Sequence, residues 1–286
     1  LHLSIRRQRQ MCIRDRVEMG LFVSAEDKTK FQSIMGDINW LAQTTHPDVM
    51  VAASLLGKRC ANPTASCMKA AKHVVRYLAG RRAYGFVYGD GDGTGLVVWS
   101  DSDCAGTYAI DGELRSRMGI SIRFNGYLIG WISKHITGIM VSSGEAEIFA
   151  LSEAIRQALH LKYIGEEIGL EMPSKIPIMV DAAAALAFAE NTMGVGRMKH
   201  LDLRTAWIQE MKNCGMIQLI KVDGVANDAD FFTKILPAGE FRDAANSMTQ
   251  VITKVQSRAA PGDIQARGHG EVKSLKPDTG AGDFEI

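Results

Sequence analysis

The sequence contains no run of about 18 uncharged apolar residues, which excludes a membrane-spanning helix of the usual length. Cysteine is scarce, and the five cysteines are widely spaced and form no CxxC pair. The sequence therefore predicts neither a zinc site nor a disulfide framework and favours a reducing compartment. The first residues, LHLSIRRQRQMCIRDR, are basic but lack the apolar segment of a secretory signal, so we expect no such signal.

Apolar residues are abundant enough for a buried core, because 46% of the 286 residues are hydrophobic and 23% are charged. At about 150 residues per domain, this length is typical of two domains. The charge is unevenly divided: residues 1–92 carry 14 Lys and Arg against 8 Asp and Glu, whereas residues 93–237 carry 13 against 17. This division favours polyanion binding by the first part and carboxylate chemistry by the second, although random surface charge explains it equally well.

A glycine-rich stretch, residues 89–95, marks the boundary between the predicted domains. It contains neither a GxGxxG pattern nor the GK[ST] ending of a phosphate-binding loop, so we interpret it as a linker. We expect residues 1–27 to be an unstructured or extraneous N-terminus, residues 28–92 to be a basic helical segment and residues 93–237 to be the larger domain. Residues 238–286 show little periodicity and are predicted to form a flexible tail.

Helical periodicity dominates residues 28–92. A first helix is expected from about Phe31 to Thr44, because a residue that precedes proline, here His46, disfavours the helical conformation. A second helix follows the candidate N-cap Thr64, and its apolar residues recur at helical spacing. The remaining surface of this helix is basic and is predicted to contact nucleic-acid phosphates through Lys69, Lys72, Arg76, Arg81 and Arg82.

Residues 93–237 alternate between strand and helix patterns, in the order strand, strand, strand, helix, strand, helix, helix, strand, helix. Asn125-Gly126 separates the second and third strands and indicates a tight hairpin. Ser142 and Glu145 have the form of a capping box at the start of the long helix. This order predicts an α/β fold, with a mixed five-stranded sheet and flanking helices preceded by the small helical segment.

Four carboxylates occupy similar positions, at or near the ends of predicted elements: Asp101, Glu147, Asp181 and Asp230. In an open sheet, such positions can converge on a site outside the strand ends. Carboxylates gathered there repel one another unless divalent cations neutralise them, and hard oxygen ligands suit Mg²⁺. Two such ions about 3.5–4 Å apart can activate a water and stabilise the leaving oxygen of a phosphodiester. Isolated aspartates at strand ends are more often turn formers, so the spacing alone does not establish the site.

The strings around these carboxylates resemble the ribonuclease H domain of copia-type LTR retrotransposon polyproteins. The resemblance covers residues 96–237 in order and rests on SDSDCAG from Ser100, SSGEAE from Ser142, VD from Val180, KHLDLR from Lys199 and ADFFTK from Ala229. Upstream strings, among them HPD from His46 and RYLAG from Arg76, are similar to the segment that links reverse transcriptase to its nuclease. The chain thus resembles the end of a reverse transcriptase followed by a ribonuclease H domain.

The resemblance implies a ribonuclease H-like fold and a metal-dependent endonuclease that hydrolyses the RNA strand of RNA/DNA hybrids. It implies that two Mg²⁺ ions, which Mn²⁺ can replace, are bound by the catalytic residues Asp101, Glu147, Asp181 and Asp230. The implied partners are the hybrid and the upstream reverse transcriptase palm. The resemblance implies no association with a membrane and a location in a cytoplasmic particle or the nucleus. The alternatives are an inactive nucleic-acid-binding remnant of this fold and, less favoured by the strings, an integrase-like nuclease.

Neighbouring residues compete for three of the ligand roles. Asp103 alternates with Asp101 along the strand and is the fallback for the first ligand. Glu145 is explained by the capping box, which leaves Glu147 as the better ligand. Asp228 competes with Asp230 for the last ligand role but could instead cap the final helix.

Two departures from the family pattern concern polar side chains. After Asp181 the family usually has Asn-Gln-Ser, whereas this chain has three alanines, which puts its affinity for hybrids in question. No histidine occurs in residues 221–227, so we assign no general-base histidine. His200 lies at the start of a predicted helix, where packing or capping is more typical than catalysis.

Overall fold

The N-terminal part of the fold is helical. The computed structural model describes residues 24–104, 106, 114–189 and 199–251. The first helices are α1 (Ala25–Thr44), α2 (Met50–Gly57), which follows a 3₁₀ turn at Pro47–Val49, and α3 (Ala65–Gly80).

Helix α1 begins earlier than expected, because Ser24 caps it by accepting a hydrogen bond from the backbone N–H of Asp27. Residues 24–27 therefore belong to the helical segment, which corrects the predicted boundary at residue 27. The remainder of the predicted N-terminal region, residues 1–23, lies outside the described residues. Thr64 caps α3 as predicted, since its hydroxyl accepts a hydrogen bond from the N–H of Cys67.

A mixed five-stranded sheet forms the centre of the fold. After the short strand β1 (Tyr84–Gly85), its strands are β2 (Leu96–Asp103), β3 (Arg117–Phe124), β4 (Tyr127–His135), β5 (Ile176–Val180) and β6 (Ile217–Lys221). The order across the sheet is β4-β3-β2-β5-β6, with β2, β3 and β4 antiparallel and β2, β5 and β6 parallel. This topology confirms the predicted α/β fold of the ribonuclease H type.

The predicted hairpin between β3 and β4 is confirmed. Asn125 and Gly126 have positive φ angles of 50° and 81°, as a two-residue turn of this kind requires. The turn sets the register in which Phe124 pairs with Tyr127.

Helix α4 (Ser143–Glu167) packs on the sheet, and α5 (Ala183–Ala189) and α6 (Lys199–Asn213) pack beside it. Ser142 caps α4 as predicted, by accepting a hydrogen bond from the N–H of Glu145. The main core between helices and strands includes Leu96, Val98, Ile120, Ile148, Leu151, Ile155, Ile176 and Ile178. Removing this apolar surface from water stabilises the sheet that carries the candidate site. None of the described helices is both long and apolar enough to span a bilayer.

The predicted flexible tail is wrong for its first part. Ala238–Met248 form helix α7, and Gln250–Val251 form β7, which pairs antiparallel with β1. The apolar face of α7 lies in a cluster with Leu128, Phe231 and Phe232, and this burial stabilises the helix. Residues 252–286 lie outside the described part of the chain.

The helical segment and the sheet are joined by hydrogen bonds. Trp131 of β4 donates from Nε1 to the carbonyl of Ala42 in α1, at 2.7 Å. Arg117 of β3, which is fully buried, donates to the hydroxyl of Ser54 in α2, at 3.0 Å. The two predicted domains therefore pack directly against each other.

Candidate metal centre

Asp101 lies in the central strand of the sheet and is 2% exposed. The sequence predicts that Asp101 ends its strand. In the structure strand β2 continues to Asp103, so Asp101 lies two residues before the strand end. Its carboxylate accepts a hydrogen bond from the hydroxyl of Thr233, which is itself fully buried. This bond fixes the orientation of the Asp101 side chain.

Two further aspartates converge on Asp101. Asp181 directly follows β5, the parallel neighbour of β2, and Asp230 lies in a 3₁₀ turn formed by Asp228–Phe232. One carboxylate oxygen from each of the three residues lies within 4.8 Å of the other two. The sheet and the turn thus bring together residues that are far apart in the sequence.

Glu147 lies in the first turns of α4 and is 8% exposed, but it is not one of the residues whose carboxylate oxygens lie within 4.8 Å of one another. Its charge interacts with those of Asp101 and Asp181. Glu145 is engaged in the helix cap, where its carboxylate accepts a hydrogen bond from the backbone N–H of Val141 at 2.8 Å. Glu145 is thus engaged at the start of α4, although this partner is the residue before the N-cap and not Ser142, the partner that a capping box requires.

The rival aspartates lie outside the group of converging carboxylates. Asp103 pairs in the sheet register with Arg117, whose charge opposes the rise in the pKa of Asp103 that burial causes. Asp228 accepts a hydrogen bond from Nε of Arg123 at 2.5 Å. Within the described residues, neither aspartate belongs to the group of converging carboxylates.

Two carboxyl groups of the site are hard to ionise. Burial, above all, raises the pKa of Asp101 to about 7; the hydrogen bond from Thr233 opposes the rise and the charge of Asp230 adds to it. Burial, followed by the charge of Asp101, raises the pKa of Glu147 to about 8. A positive ion bound between these groups would favour their charged forms.

The arrangement of oxygens fits a divalent cation. Glu147 Oε2 and Asp230 Oδ1 are buried and have no hydrogen-bond partner among the described residues. A buried polar atom without a partner is costly, and a bound cation is one way to satisfy such an oxygen. Carboxylate oxygens are the ligands that Mg²⁺ and Mn²⁺ prefer. The residues that could hold such ions are Asp101, Glu147, Asp181 and Asp230.

Asn227 positions the site and was missed by the sequence analysis. It is 4% exposed, and its amide donates to the carbonyl of Ser100 and accepts from the N–H of Ala229, both at 3.1 Å. Asn227 thus caps the turn that carries Asp230 and joins that turn to strand β2. A signal was present, because asparagine is a favoured N-cap residue.

Most of the predicted basic face of α3 is exposed. Lys69, Lys72, Arg76 and Arg82 lie on the surface and stay candidates for phosphate contacts. Their exposure makes these four charges accessible to a polyanion.

The prediction for Arg81 is wrong, because this side chain is buried. It forms an ion pair with Asp48 at 3.1 Å and donates to Asn246 and Thr249 at 3.0 and 2.7 Å. Arg81 therefore joins α3 to the C-terminal helix and is not available to a phosphate.

Two sequence expectations concern residues at the edges of the described ranges. His200 lies in α6, but its side chain is outside the described residues. Ala182 and Ala183 directly follow Asp181, and alanine offers no polar side-chain group to a cation or a nucleic acid.

No protein-family model matches the chain. Among curated proteins, it is 30% identical over 214 residues to the retrovirus-related Pol polyprotein from transposon TNT 1-94 of Nicotiana tabacum. This match covers 75% of this chain and 16% of that protein. It is 27% identical over 222 residues to the corresponding polyprotein from transposon RE1 of Arabidopsis thaliana, which covers 78% of this chain and 15% of that protein. The chain thus spans about one sixth of the length of these relatives.

Solved structures with some similarity include LC11-RNase H1 in complex with an RNA/DNA hybrid. The two proteins are 16% identical, and their alignment covers 46% of this chain and 88% of the solved one, with a TM-score of 0.35. Because this score is low, the fold assignment rests on the strand order described above.

Proposed function

Because this chain belongs to the retrovirus-related Pol polyproteins of transposons, we propose that residues 93–237 form a metal-dependent ribonuclease H that hydrolyses the RNA strand of RNA/DNA hybrids. The observation that carries the proposal is the convergence of Asp101, Asp181 and Asp230, with carboxylate oxygens within 4.8 Å of one another. Aspartates that only form turns have no physical reason to converge, because their charges repel. The geometry therefore favours the ligand role.

In the proposed mechanism, Asp101, Glu147, Asp181 and Asp230 would hold two Mg²⁺ ions, which Mn²⁺ could replace. Such ions activate a water and stabilise the leaving oxygen of a phosphodiester. The protein supplies the arrangement: Thr233 orients Asp101, and Asn227 holds the turn that carries Asp230. The carboxyls of Asp101 and Glu147 have pKa values of about 7 and 8, and a nearby cation would favour their charged forms.

The proposed contact with the hybrid is independent of base sequence. The exposed residues Lys69, Lys72, Arg76 and Arg82 would bind phosphates through salt-dependent contacts. Recognition of the hybrid would rest on minor-groove shape and 2′-hydroxyls, because base edges are poorly accessible in such a helix. Residues 28–92 would connect this nuclease to the upstream reverse transcriptase palm of the same polyprotein.

The alternative is a remnant that binds nucleic acid without cleaving it. The alanines at 182 and 183 favour it, since the family has polar side chains after the corresponding aspartate. The convergence of Asp101, Asp181 and Asp230 favours activity, because three repelling carboxylates have a physical reason to lie together when they bind cations.

A cleavage assay with the full chain distinguishes the two candidates. The substrates are an end-labelled RNA/DNA hybrid and the matching RNA and DNA duplexes, each incubated with Mg²⁺, Mn²⁺ or EDTA. We expect cleavage of the RNA strand of the hybrid alone, with either metal and not with EDTA. Binding of the hybrid without cleavage would establish the remnant, and cleavage of the DNA strand would overturn the ribonuclease H assignment.

A further inference from the structure

A lysine lies against the carboxylate cluster. Lys234 Nζ is 2.6 Å from Asp230 Oδ2, and the two residues are four positions apart along the chain. The other oxygen of Asp230, Oδ1, is buried and has no hydrogen-bond partner among the described residues. One oxygen of Asp230 is thus held by a cationic side chain, and the other is left for a different ligand.

The charge of Lys234 acts on more than Asp230. Partial burial lowers the pKa of Lys234, but the hydrogen bond with Asp230 and the charges of Asp101 and Asp181 outweigh it, so that the net shift is upward. In return, Lys234 opposes the rise in the pKa of Asp101. Because Asp230 belongs to the group of aspartates whose carboxylate oxygens lie within 4.8 Å of one another, the ammonium group that contacts Asp230 lies at the edge of this negative cluster.

We propose that Lys234 is a built-in counter-cation of this cluster, which stabilises the converged carboxylates without a divalent cation and lowers their affinity for one. The second part rests on the proposed function, because it requires that the cluster bind such a cation. The physical reason is the sign of the charge: an ammonium group and a divalent cation compete for the same negative field. Lys234 is covalently fixed four residues after Asp230, so this competition is present at any metal concentration.

The chain offers a matched control for the charge itself. Lys30 forms an ion pair with Glu26 at 2.7 Å, also four residues apart, on the exposed surface of α1. Replacing Lys30 with Met removes a similar ion pair away from the carboxylate cluster. Lys234→Arg keeps the positive charge at the site and tests whether the charge or the lysine itself matters.

The first measurement is thermal unfolding of the full chain in EDTA at low salt and pH 8. We expect Lys234→Met to lower Tm by about 2–4 °C, because the aspartates then repel one another without an internal cation. Lys234→Arg and Lys30→Met should stay within error of the wild type. An unchanged Tm in Lys234→Met would overturn the counter-cation role.

The second measurement is the affinity for Mn²⁺, followed by calorimetry. We expect Lys234→Met to bind Mn²⁺ about 3-fold or more tightly than the wild type, and Lys234→Arg and Lys30→Met to bind it with unchanged affinity. Equal or weaker binding by Lys234→Met would overturn the competition, since it would show that Lys234 serves only to orient Asp230.

The two measurements separate this inference from the proposed function. If the wild type binds no Mn²⁺, the metal-dependent function fails, and with it the competition between Lys234 and a cation. The unfolding comparison in EDTA contains no metal and still decides whether Lys234 stabilises the converged carboxylates.

Discussion

Gly119 of β3 pairs with Asp101 of β2, and its missing side chain makes room for the turn that carries Asp230. A Cβ atom at Gly119 would lie 2.6 Å from the carbonyl oxygen of Ala229 and 2.8 Å from Cγ2 of Thr233. The Asp228–Phe232 turn therefore lies directly against the backbone of the strand. This close approach is what brings Asp230 to Asp101.

We expect Gly119→Ala to move this turn and to separate Asp230 from the other carboxylates. Overpacking of this kind costs about 1–3 kcal/mol, measurable by urea unfolding, and cleavage should fall strongly. Gly130→Ala on β4 is the control, because its Cβ would lie 3.4 Å from the flexible end of Ile122. A Gly119→Ala protein with wild-type stability and activity would show that the turn can shift without consequence.

Asp181→Asn should abolish cleavage while leaving the fold intact. The change keeps the shape of the side chain but removes one negative charge from the cluster. In EDTA the variant should be as stable as the wild type or slightly more so, because repulsion falls. Cleavage assays and thermal unfolding test the two parts, with Asp37→Asn on the exposed surface of α1 as the control. Retained cleavage in Asp181→Asn would contradict the proposed ligand set.

The two glutamates of α4 should respond differently to neutralisation. Glu147→Gln should lose cleavage, because a ligand with a buried, unpaired oxygen is replaced by an amide. Glu145→Gln should cost little, since an amide oxygen can still accept the hydrogen bond from Val141. The opposite result, with Glu145→Gln inactive and Glu147→Gln active, would reverse the assignment within this pair.

The stability of the metal-free protein should fall as pH rises from about 4 to 8. Folding raises the pKa of Asp101 from 3.8 to about 7 and that of Glu147 from 4.5 to about 8. Between these values the folded state binds more protons than the unfolded state, so the free energy of unfolding decreases with increasing pH. Added Mg²⁺ should reduce this decrease, because it neutralises the charged forms.

Urea unfolding in EDTA across this pH range provides the measurement. An Asp101→Asn, Glu147→Gln double variant is the control, because it keeps all other titrating groups. Parallel pH profiles for the wild type and this variant would show that the two carboxyls do not cause the decrease.

Residues of the basic helix should divide into two classes. Replacing the exposed Lys72 and Arg76 with Ala should weaken hybrid binding and reduce its salt slope by about one unit per lost phosphate contact, without a change in Tm. Arg81→Met should lower stability by about 3–5 kcal/mol, because it leaves Asp48 buried without its ion-pair partner.

Salt titrations of hybrid binding and urea unfolding separate these effects. An unchanged salt slope in the Lys72, Arg76 double variant would show that these side chains form only a solvated face. An Arg81→Met protein of wild-type stability would contradict the structural role of the buried ion pair.

Local signals in the sequence predicted the sheet well. Asn125-Gly126 indicated the hairpin because few other residues tolerate its backbone angles. Ser142 and Glu145 indicated the start of α4, because their hydrogen bonds connect neighbours in the chain. The separation of Glu147 from Glu145 followed from the same local geometry.

Long-range contacts were less accessible from the sequence. Arg81 looks like a surface residue until Asp48, Asn246 and Thr249 are placed around it, and two of these follow it by more than 160 positions. Helix α7 is rich in alanine, and its apolar face became recognisable only through packing against Phe231 and Phe232. Three of the four predicted carboxylates, Asp101, Asp181 and Asp230, converge in the structure. Asn227 was missed because its partner Ser100 lies in another element.

Strand β7, at the C-terminal end of the described residues, pairs with β1, which directly follows the helical segment. The connection between β1 and β2 is exposed from Val87 to Thr94, so a protease added to the protein would reach it. A cut there would not release two products, because β1–β7, Arg81–Thr249 and Trp131–Ala42 all join residues on opposite sides of it. The two fragments would stay associated as a nicked complex, and gel electrophoresis under denaturing conditions would be needed to reveal the cut.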